Sequence, residues 1–263
     1  MIPVVVLGAA GRMGRTVVQA VNDQADMQAV AGVDPVQAEF GAPWFADMHT
    51  AIAATRPAVA VDFSHADAAA TNALAALDAG VSPVIGTTGM SAEQVDAIRQ
   101  RAATKRIGAF IAPNFAIGAV LMMEMAKLAA PHLDHVEIIE YHHNAKIDAP
   151  SGTAARTADL ILEARSGNPA IDGKTQKFAI DGVRGGVIGG VRIHSVRLPG
   201  FVAHQEVIFG GPGQYLTIRH DSISRDSFMP GVMLAIRRVR ELPGLVLGLE
   251  HLLLNSAERG TVW

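Results

Sequence analysis

Cysteine is absent from the 263 residues of this sequence, so disulfide bonds and thiolate metal sites are excluded. No apolar run approaches the roughly 18 residues of a membrane-spanning helix, and the N-terminal apolar run lacks the positively charged stretch of a signal peptide. The formal net charge is -3 and no basic tract stands out, which argues against nucleic-acid binding. We therefore expect a cytoplasmic protein that has neither a membrane nor a nucleic acid as its partner.

Hydrophobic residues make up 49% of the sequence and charged residues 18%, a composition typical of a folded globular chain. In the first half, short apolar runs at residues 4–7, 29–33 and 58–63 are typical of buried strands. They alternate with helical patterns such as residues 12–21 and 66–79. This alternation predicts an α/β fold with a Rossmann-like, doubly wound parallel sheet in the first domain.

The pattern changes after Gly118, where a helix through residue 127 precedes a predicted strand at residues 136–141. Residues 181–190 contain too many glycines for a helix and predict a turn-rich loop. Further on, the pattern predicts antiparallel strands at residues 191–198, 205–209 and 215–220, with turns at Pro199-Gly200 and at residues 211–213. We therefore expect a second, α+β domain with a mixed, largely antiparallel sheet of about four strands. A last helical pattern, at residues 228–240, can pack back on the first domain.

A glycine-rich turn, Gly8-Ala9-Ala10-Gly11-Arg12-Met13-Gly14, follows the first predicted strand. Its glycines depart from the GxGxxG spacing, yet they stand at a strand-to-helix turn, where glycine lets the backbone approach a pyrophosphate. The positive end of the helix dipole favours the phosphate charge. The turn predicts a dinucleotide site, and a tight turn without a ligand is the alternative.

Asp34 ends the second predicted strand, 20 residues after Gly14, where a carboxylate can accept hydrogen bonds from an adenosine ribose. This position favours NADH, although an Asp can also serve there as a helix cap or a surface residue. Arg12 in the turn can instead bind a 2′-phosphate, because its guanidinium suits phosphate geometry. We therefore expect NADH or NADPH as the cofactor.

Two further predicted strands end in short polar sequences, Gly86-Thr87-Thr88-Gly89 and Ala112-Pro113-Asn114-Phe115. In an open α/β sheet, ligands bind outside the carboxyl ends of the strands. Both loops are therefore placed to border the nicotinamide, although each can equally be only a turn.

A cationic cluster spans residues 140–153, EYHHNAKIDAPSGT, between a predicted strand and a predicted helix. Pro150 interrupts any helix there, so we expect His142, His143 and Lys146 to lie on a loop. The Ser-Gly-Thr start of the helix adds backbone amides and a positive dipole end. Together these groups predict a pocket for a carboxylate.

The same residues allow two alternatives to a carboxylate pocket. Paired histidines can bind zinc, but the sequence has neither an HExxH motif nor a thiolate, so no metal site is predicted. The cluster can also be a surface loop whose Ser-Gly-Thr only caps a helix.

Four motifs together resemble the 4-hydroxy-tetrahydrodipicolinate reductase family, also called dihydrodipicolinate reductase: GAAGRMG at 8–14, GTTG at 86–89, APNFAIG at 112–118 and EYHHNAKIDAPSGTA at 140–154. The resemblance runs nearly end to end. It implies a homotetramer, with a dinucleotide-binding domain of residues 1–117 and 226–263 and a substrate-binding and oligomerisation domain of residues 118–225. It also implies that NAD(P)H reduces a small cyclic dicarboxylate imine, with loss of its hydroxyl as water, in lysine and diaminopimelate biosynthesis.

By the same resemblance, His142 is the acid/base residue and Lys146 the proton donor, although both compete for the proton transfer. The implied substrate-binding residues are His143, Gly152 and Thr153. The implied cofactor-binding residues are Gly8, Ala9, Ala10, Gly11, Arg12, Met13, Asp34, Gly86, Thr87, Thr88, Ala112, Pro113, Asn114 and Phe115. Pro35 follows Asp34 where some relatives have a basic residue, so the choice between NADH and NADPH stays open.

Two other functions are compatible with the residues by themselves. A nucleotide-sensing protein would use the same fold for binding only, since a fold does not dictate chemistry. A related dehydrogenase would act on another small carboxylate. The predicted cofactor and substrate residues fall in different domains, so for an enzyme we also expect domain closure during hydride transfer.

Overall fold

The computed structural model of the chain describes residues 1–166 and 177–254. Residues 167–176 of the predicted second domain and 255–263 of the predicted first domain lie outside the described residues. The chain divides into two compact units, one formed by Met1–Ala116 with the chain from Arg225 onward and the other by Ile117–Ser224. Within the described ranges, none of the helices combines the length and the apolar character that a bilayer crossing requires.

Strands and helices alternate through the first unit, whereas strands dominate the second. The strands are β1 Ile2–Leu7, β2 Met27–Val33, β3 Trp44–Phe45, β4 Val59–Asp62, β5 Ser82–Ile85, β6 Ala109–Ile111, β7 His135–His142, β8 Gly186–Ile188, β9 Val191–Arg197, β10 Ala203–Gly211, β11 Gln214–Ser222 and β12 Leu245–Leu247. The α-helices are α1 Arg12–Asn22, α2 Met48–Thr55, α3 Ala66–Asp78, α4 Ala92–Lys105, α5 Ile117–Ala129, α6 Gly152–Ala164, α7 Met229–Arg238 and α8 Glu250–Leu253. Short 3-10 helices cover Ala130–His132, Arg225–Phe228 and Val239–Glu241.

The first unit is built on a seven-stranded sheet of order β12-β6-β5-β4-β1-β2-β3, in which every neighbouring pair is parallel. From β1 the chain proceeds to β2 on one side and then returns to β4 on the other. This reversal creates a switch point beside β1, the place where open α/β sheets bind ligands. The Rossmann-like sheet expected from the sequence is confirmed.

The register of the sheet brings the carboxyl ends of five strands to one edge. Leu7 pairs with both Val33 and Asp62. Ile85 pairs with Asp62 and with Ile111. The residues that follow β1, β2, β4, β5 and β6 therefore lie side by side at the carboxyl ends of these strands.

Burial of apolar side chains holds the sheet and its helices together. Strands β4 and β5 are buried along their whole length. Helix α1 buries Val17, Val18 and Val21, which recur at helical spacing on one face. Each fully buried valine contributes about 1.5–3 kcal/mol, so this face fixes α1, and with it the turn that precedes it, against the sheet.

The second unit has a five-stranded mixed sheet of order β11-β10-β7-β9-β8. The pair β7 and β9 is parallel and the other three pairs are antiparallel. On β7 the alternate residues Val136, Ile138 and Glu140 are buried, as the pleat of a strand dictates. Helix α6 packs against β7 and β9. The mixed, largely antiparallel sheet expected from the sequence is confirmed.

Three expectations for this sheet were wrong in detail. Strand β9 is parallel to β7 and does not pair with β10, so the turn at Pro199-Gly200 closes no hairpin. The glycine-rich segment 181–190 contains the edge strand β8, and the sheet therefore has five strands. Alternation along a strand reveals which side chains share a face but not which strand lies beside it, and this explains the first error.

Candidate active site

The glycine turn after β1 is shaped by close backbone contacts. Gly8 has a φ of +74°, and a Cβ there would lie 2.6 Å from the carbonyl oxygen of Phe63. A Cβ on Gly14 would lie 2.1 Å from the carbonyl oxygen of Gly8. Gly11 is the N-cap of α1, and no side chain among the described residues caps this helix. Exposed glycine backbone and uncapped amides fit the pyrophosphate of a dinucleotide.

Asp34 follows β2 and lies against the glycine turn. Its Oδ2 accepts a hydrogen bond from the backbone N–H of Ala10 at 3.1 Å, and its Oδ1 accepts one from Val36 at 2.9 Å. Each oxygen keeps a second lone pair, so the carboxylate can still accept hydrogen bonds from ribose hydroxyls. Within the turn, Ala9 is buried, Met13 is half-buried and Arg12 is exposed.

Arg15 places a second guanidinium beside the turn, one that was not predicted from the sequence. Its Nε donates to the carbonyl oxygen of Ala10 at 3.0 Å and its Nη1 to that of Glu39 at 2.7 Å. It thereby ties the turn to the loop after β2, where residues 37–42 and Trp44 line an open cleft of about 620 Å³. The spacing of Arg15 from Arg12, three residues along α1, was the available sequence signal.

The polar residues that follow β4 and β5 meet at Asp62, the last residue of β4. This carboxylate is 2% exposed, and its Oδ1 accepts hydrogen bonds from Thr87 Oγ1 at 2.8 Å and from the backbone of Ser64 at 2.9 Å. Its Oδ2 accepts one from Asn72 Nδ2 at 2.8 Å. The side chain of Thr87 is thus held by the protein itself, while Thr88 is exposed. Gly86 lies beside them, half-buried.

The loop after β6 divides into buried and accessible residues. Ala112 is 0% and Phe115 2% exposed, and the Phe115 ring lies 5.8 Å from that of Phe63. Pro113 is exposed and Asn114 is half-buried. Ala112 and Phe115 can therefore offer a cofactor their backbone atoms, since their side chains belong to the core.

His142 lies at the carboxyl end of β7, and the expectation that it lies on a loop was wrong. The register places it opposite Arg197 on β9. Its Nδ1 is hydrogen-bonded to Oε2 of Glu140, which is two residues back on the same face of the strand. The His142 side chain is 14% exposed, so one edge of the imidazole remains accessible.

Glu140 is a fully buried carboxylate at the centre of this arrangement. Arg197 donates two hydrogen bonds to it, from Nη2 to Oε1 at 2.7 Å and from Nη1 to Oε2 at 2.9 Å. Burial by itself raises the pKa of Glu140, but hydrogen bonds outweigh that effect; they come from His142, Arg197 and Ser195. The pKa of Glu140 falls from 4.5 to about 2, so the group is ionised at neutral pH.

Helix α6 begins beside Glu140. The backbone N–H of Ser151 donates to Glu140 Oε1 at 3.3 Å, and Ser151 Oγ accepts from the N–H of Ala154 at 3.2 Å. Gly152 is the first residue of the helix, and a Cβ there would meet no described atom within 4 Å. Half-buried Thr153 follows it. Open space therefore lies at the positive end of a helix, where backbone amides favour an anion.

Lys146 lies on the loop between β7 and α6 and is ion-paired with Asp148. Its Nζ lies 2.7 and 2.9 Å from the two carboxylate oxygens, and this hydrogen bonding lowers the pKa of Asp148. The carbonyl oxygen of Asp148 accepts a hydrogen bond from Arg197 Nη2 at 2.8 Å. His143, on the same loop, is exposed. Lys146, His142 and the start of α6 are thus joined by one network through Glu140 and Arg197.

Comparison with known proteins covers both halves of the chain. The family model described as dihydrodipicolinate reductase, N-terminus, matches residues 2–115, and the model described as dihydrodipicolinate reductase, C-terminus, matches residues 118–253. The chain belongs to the dihydrodipicolinate reductase family. The resemblance drawn from the four sequence motifs is confirmed.

Individual members of this family match the chain over nearly its whole length. The 4-hydroxy-tetrahydrodipicolinate reductase of Desulfitobacterium hafniense (strain DSM 10664 / DCB-2) is 49% identical over 265 residues, covering 96% of this chain and 98% of the relative. That of Moorella thermoacetica is 49% identical over 263 residues, with the same coverage. The structure of dipicolinate-bound dihydrodipicolinate reductase from Paenisporosarcina sp. TG-14 matches with a TM-score of 0.88 and 41% identity, covering 95% of this chain and 99% of that one.

Membership of the dihydrodipicolinate reductase family makes the chain an oxidoreductase with NADH or NADPH as its cofactor. The nucleotide-sensing alternative is therefore wrong. A probable dehydrogenase from Thermotoga maritima, with a TM-score of 0.64 at 13% identity, shares the fold alone. Among the described residues, no three His, Asp or Glu side chains come together as candidate metal ligands.

The roles of Glu140, Arg197 and Asp148 were not predicted from the sequence. Glu140 did carry a signal, because it is in phase with the apolar Val136 and Ile138 on β7, and a charge on a buried face requires a partner. Arg197 lies 57 residues further along the chain, so no local pattern could connect the two. Asp148 was visible only as one more polar residue of a loop.

Proposed function

We propose that this chain catalyses the reduction of 4-hydroxy-tetrahydrodipicolinate to tetrahydrodipicolinate by NADH or NADPH, in lysine and diaminopimelate biosynthesis. One hydride and one proton enter and one water leaves, so the reaction balances. The names of relatives that are 49% identical support this substrate. The structural observation that carries the proposal is the cluster of His142, Lys146 and the open start of α6, in a unit separate from the glycine turn.

The first unit is assigned to dinucleotide binding. A reduced nicotinamide, when bound, supplies the hydride. The glycine turn would hold the pyrophosphate, while Asp34 would accept hydrogen bonds from the adenosine ribose. Asp34 favours NADH because its charge repels a 2′-phosphate, whereas Arg12 and Arg15 offer guanidinium groups to that phosphate. Use of both cofactors follows from these opposed charges.

The second unit is assigned to substrate binding. One carboxylate of the substrate would accept hydrogen bonds at the helix start, from Gly152 and Thr153. Lys146 and His143 would supply positive charge and donors from the loop between β7 and α6. A family member was solved with dipicolinate, a cyclic dicarboxylate, which supports a pocket of this charge.

Two side chains compete to deliver the proton. Nδ1 of His142 is engaged by Glu140, so Nε2 is the nitrogen that can act on a substrate. Lys146 carries a proton on Nζ but shares it with Asp148. We assign His142 to acid/base catalysis and Lys146 to proton donation and to anchoring of a carboxylate.

The assay that tests this function follows oxidation of NADH by the purified full-length chain, supplied with freshly generated 4-hydroxy-tetrahydrodipicolinate. Wild-type protein should oxidise NADH only when this substrate is present. His142→Ala and Lys146→Ala should each lower kcat by about 100-fold or more, because each removes a group that transfers or donates a proton. Both should leave the Kd for NADH nearly unchanged.

His194→Ala is the matched control for His142→Ala. His194 is also a half-buried histidine bonded to a glutamate of β7, namely Glu137. It pairs with Ile139, three residues before the end of that strand, and lies on the face of the sheet opposite to Glu140. It should keep wild-type turnover. Full turnover in both the His142 and Lys146 variants would refute the site. Oxidation of NADH with another carboxylate, but not with 4-hydroxy-tetrahydrodipicolinate, would refute the substrate.

We further propose a homotetramer that assembles through the sheet of the second unit and works in the cytoplasm, where biosynthesis draws on reduced nicotinamide. Support for assembly comes from β11, an edge strand on which Tyr215 is 79% and Leu216 41% exposed. Large apolar side chains on an exposed sheet edge are typical of an interface between chains.

A further inference from the structure

The buried carboxylate of Glu140 makes more contacts than charge neutralisation requires. Arg197 already neutralises the charge of Glu140 through a bidentate salt bridge. Among its further hydrogen-bond donors are Nδ1 of His142 and the backbone N–H of Ser151. Each belongs to a different part of the proposed substrate site, the end of β7 and the start of α6.

The contact with His142 fixes which nitrogen of the imidazole carries hydrogen. An ionised carboxylate can only accept hydrogen bonds, so Nδ1 of His142 must be the donor. Nε2 is then left as the working nitrogen, which accepts a proton in the neutral ring and donates one in the charged ring. The same bond restrains the plane of the ring, because its acceptor Glu140 is fully buried and is itself held by Arg197. The His142 side chain is 14% exposed.

The remaining contacts hold the loop between β7 and α6 at its far end and in its middle. At its far end, Ser151 donates to Glu140 Oε1. In its middle, the carbonyl oxygen of Asp148 accepts from Arg197, which is itself fixed by Glu140. Lys146 is therefore carried on a segment whose position depends on one carboxylate.

We propose that Glu140 is the positioning residue of this active site: it fixes the Nδ1–H tautomer and the orientation of His142, and it holds the loop that carries Lys146. It acts through these groups without touching the substrate. The inference rests on the proposed function for its kinetic consequences, but the tautomer of His142 can be measured without any substrate. The competing role is that of a simple counter-ion to Arg197.

The first test is Glu140→Gln in the full-length chain. The amide oxygen can still accept from Arg197, but the amide NH₂ would face His142 and force Nδ1 to become an acceptor. The hydrogen then moves to Nε2. We expect kcat to fall about 100-fold, because His142 presents the wrong tautomer, while the KM for the dicarboxylate changes by less than about threefold. The Kd for NADH should be unchanged.

The decisive readout is nitrogen-15 NMR of histidine-labelled protein, with the His142 signals assigned by comparison with a His142→Gln sample. Wild type should show the hydrogen of neutral His142 on Nδ1, and Glu140→Gln should show it on Nε2. Glu140→Asp keeps the charge and should keep the Nδ1–H tautomer. Its kcat should lie between those of wild type and Glu140→Gln. If Glu140→Gln does not fold, wild type and Glu140→Asp still test the proposal.

Glu137→Gln is the matched control. Glu137 lies on the same strand and is likewise bonded to a histidine and an arginine, His194 and Arg184, but on the opposite face of β7. It should keep wild-type kcat and the His142 tautomer. Neutral His142 with its hydrogen on Nε2 in wild type would overturn the proposal, and so would an unchanged kcat in folded Glu140→Gln. Wild type that fails to oxidise NADH with this substrate would instead refute the proposed function alone.

Discussion

Lys146 forms an ion pair with Asp148 of its own loop. In the role proposed for Lys146, a substrate carboxylate would therefore have to compete with Asp148 for its charge. Asp148→Asn removes the competitor. Because a partly exposed ion pair is worth about 0.2–1 kcal/mol, we expect the KM for the dicarboxylate to fall by up to about fivefold at low salt. Steady-state kinetics at low and high ionic strength measure this change, which salt should diminish.

Asp96→Asn is the control for that substitution, since Asp96 forms an exposed ion pair with Arg99 on α4, in the other unit. It should leave the KM for the dicarboxylate as it is. A KM that rises in Asp148→Asn would mean that Asp148 holds Lys146 in its working position, contrary to this account.

Glu140 should also make the fold sensitive to acid. Its pKa is lower in the folded chain, about 2 against 4.5, so its contribution to stability is present above pH 4.5 and is lost as the pH falls toward 2. A shift of this size corresponds to about 3 kcal/mol. Urea unfolding of wild type and Glu140→Gln, compared at about pH 6 and about pH 3, should show their difference in free energy of unfolding shrinking at the lower pH. A constant difference would contradict it.

At the level of elements, alanine substitutions at two glycines near helix starts should have opposite effects on stability. A Cβ on Gly14 would lie 2.1 Å from the backbone of Gly8, so Gly14→Ala must displace α1 from β1. We expect this variant to lose both thermal stability and NADH affinity. Thermal unfolding and NADH titration by fluorescence measure the two effects. A variant that keeps wild-type NADH affinity would show that the turn does not hold the cofactor.

Gly152→Ala should separate stability from function. Its Cβ would meet no described atom within 4 Å, and alanine is the better helix former. The fold should therefore be as stable as wild type or slightly more so. Because the methyl group would enter the space assigned to a carboxylate, a displacement of about 1 Å should lower kcat/KM by about 100-fold. Unchanged kcat/KM would place the carboxylate elsewhere.

Long, regular elements could be predicted from the sequence, and short or non-local ones could not. The buried apolar run of β1 and the helical spacing in α1 are local signals, and both elements are present. Strands β3 and β12 have two and three residues, too few to show a period. The partner of β9 is decided by packing of the whole sheet rather than by its own sequence.

The same limit applies to the site. The glycine turn and the segment 140–153 are contiguous, so their residue types could be interpreted directly. The network that joins Glu140 to Arg197 spans 57 residues, and only the fold brings the two together. The position of His142 at the end of β7 likewise depends on the fold, because pairing with β9 and β10 extends this strand through His142.

For the whole molecule, we expect assembly through the exposed edge strand of the second unit's sheet. Light scattering after size exclusion should give about four times the chain mass of 27.6 kDa. Tyr215→Glu with Leu216→Asp should reduce that mass, because two buried charges would face each other across the interface. A wild-type mass of one chain, or a tetramer that survives both substitutions, would contradict assembly through β11.

The central claim, that this chain transfers a hydride from a nicotinamide to a cyclic dicarboxylate, is tested most directly by isotope transfer. NADH deuterated at the C4 position that donates the hydride should give tetrahydrodipicolinate one mass unit heavier than unlabelled NADH does, with one cofactor oxidised per product. We expect this incorporation in wild type and in the Glu137→Gln control. NADH oxidation without deuterium in the product, or product formed without NADH, would contradict it.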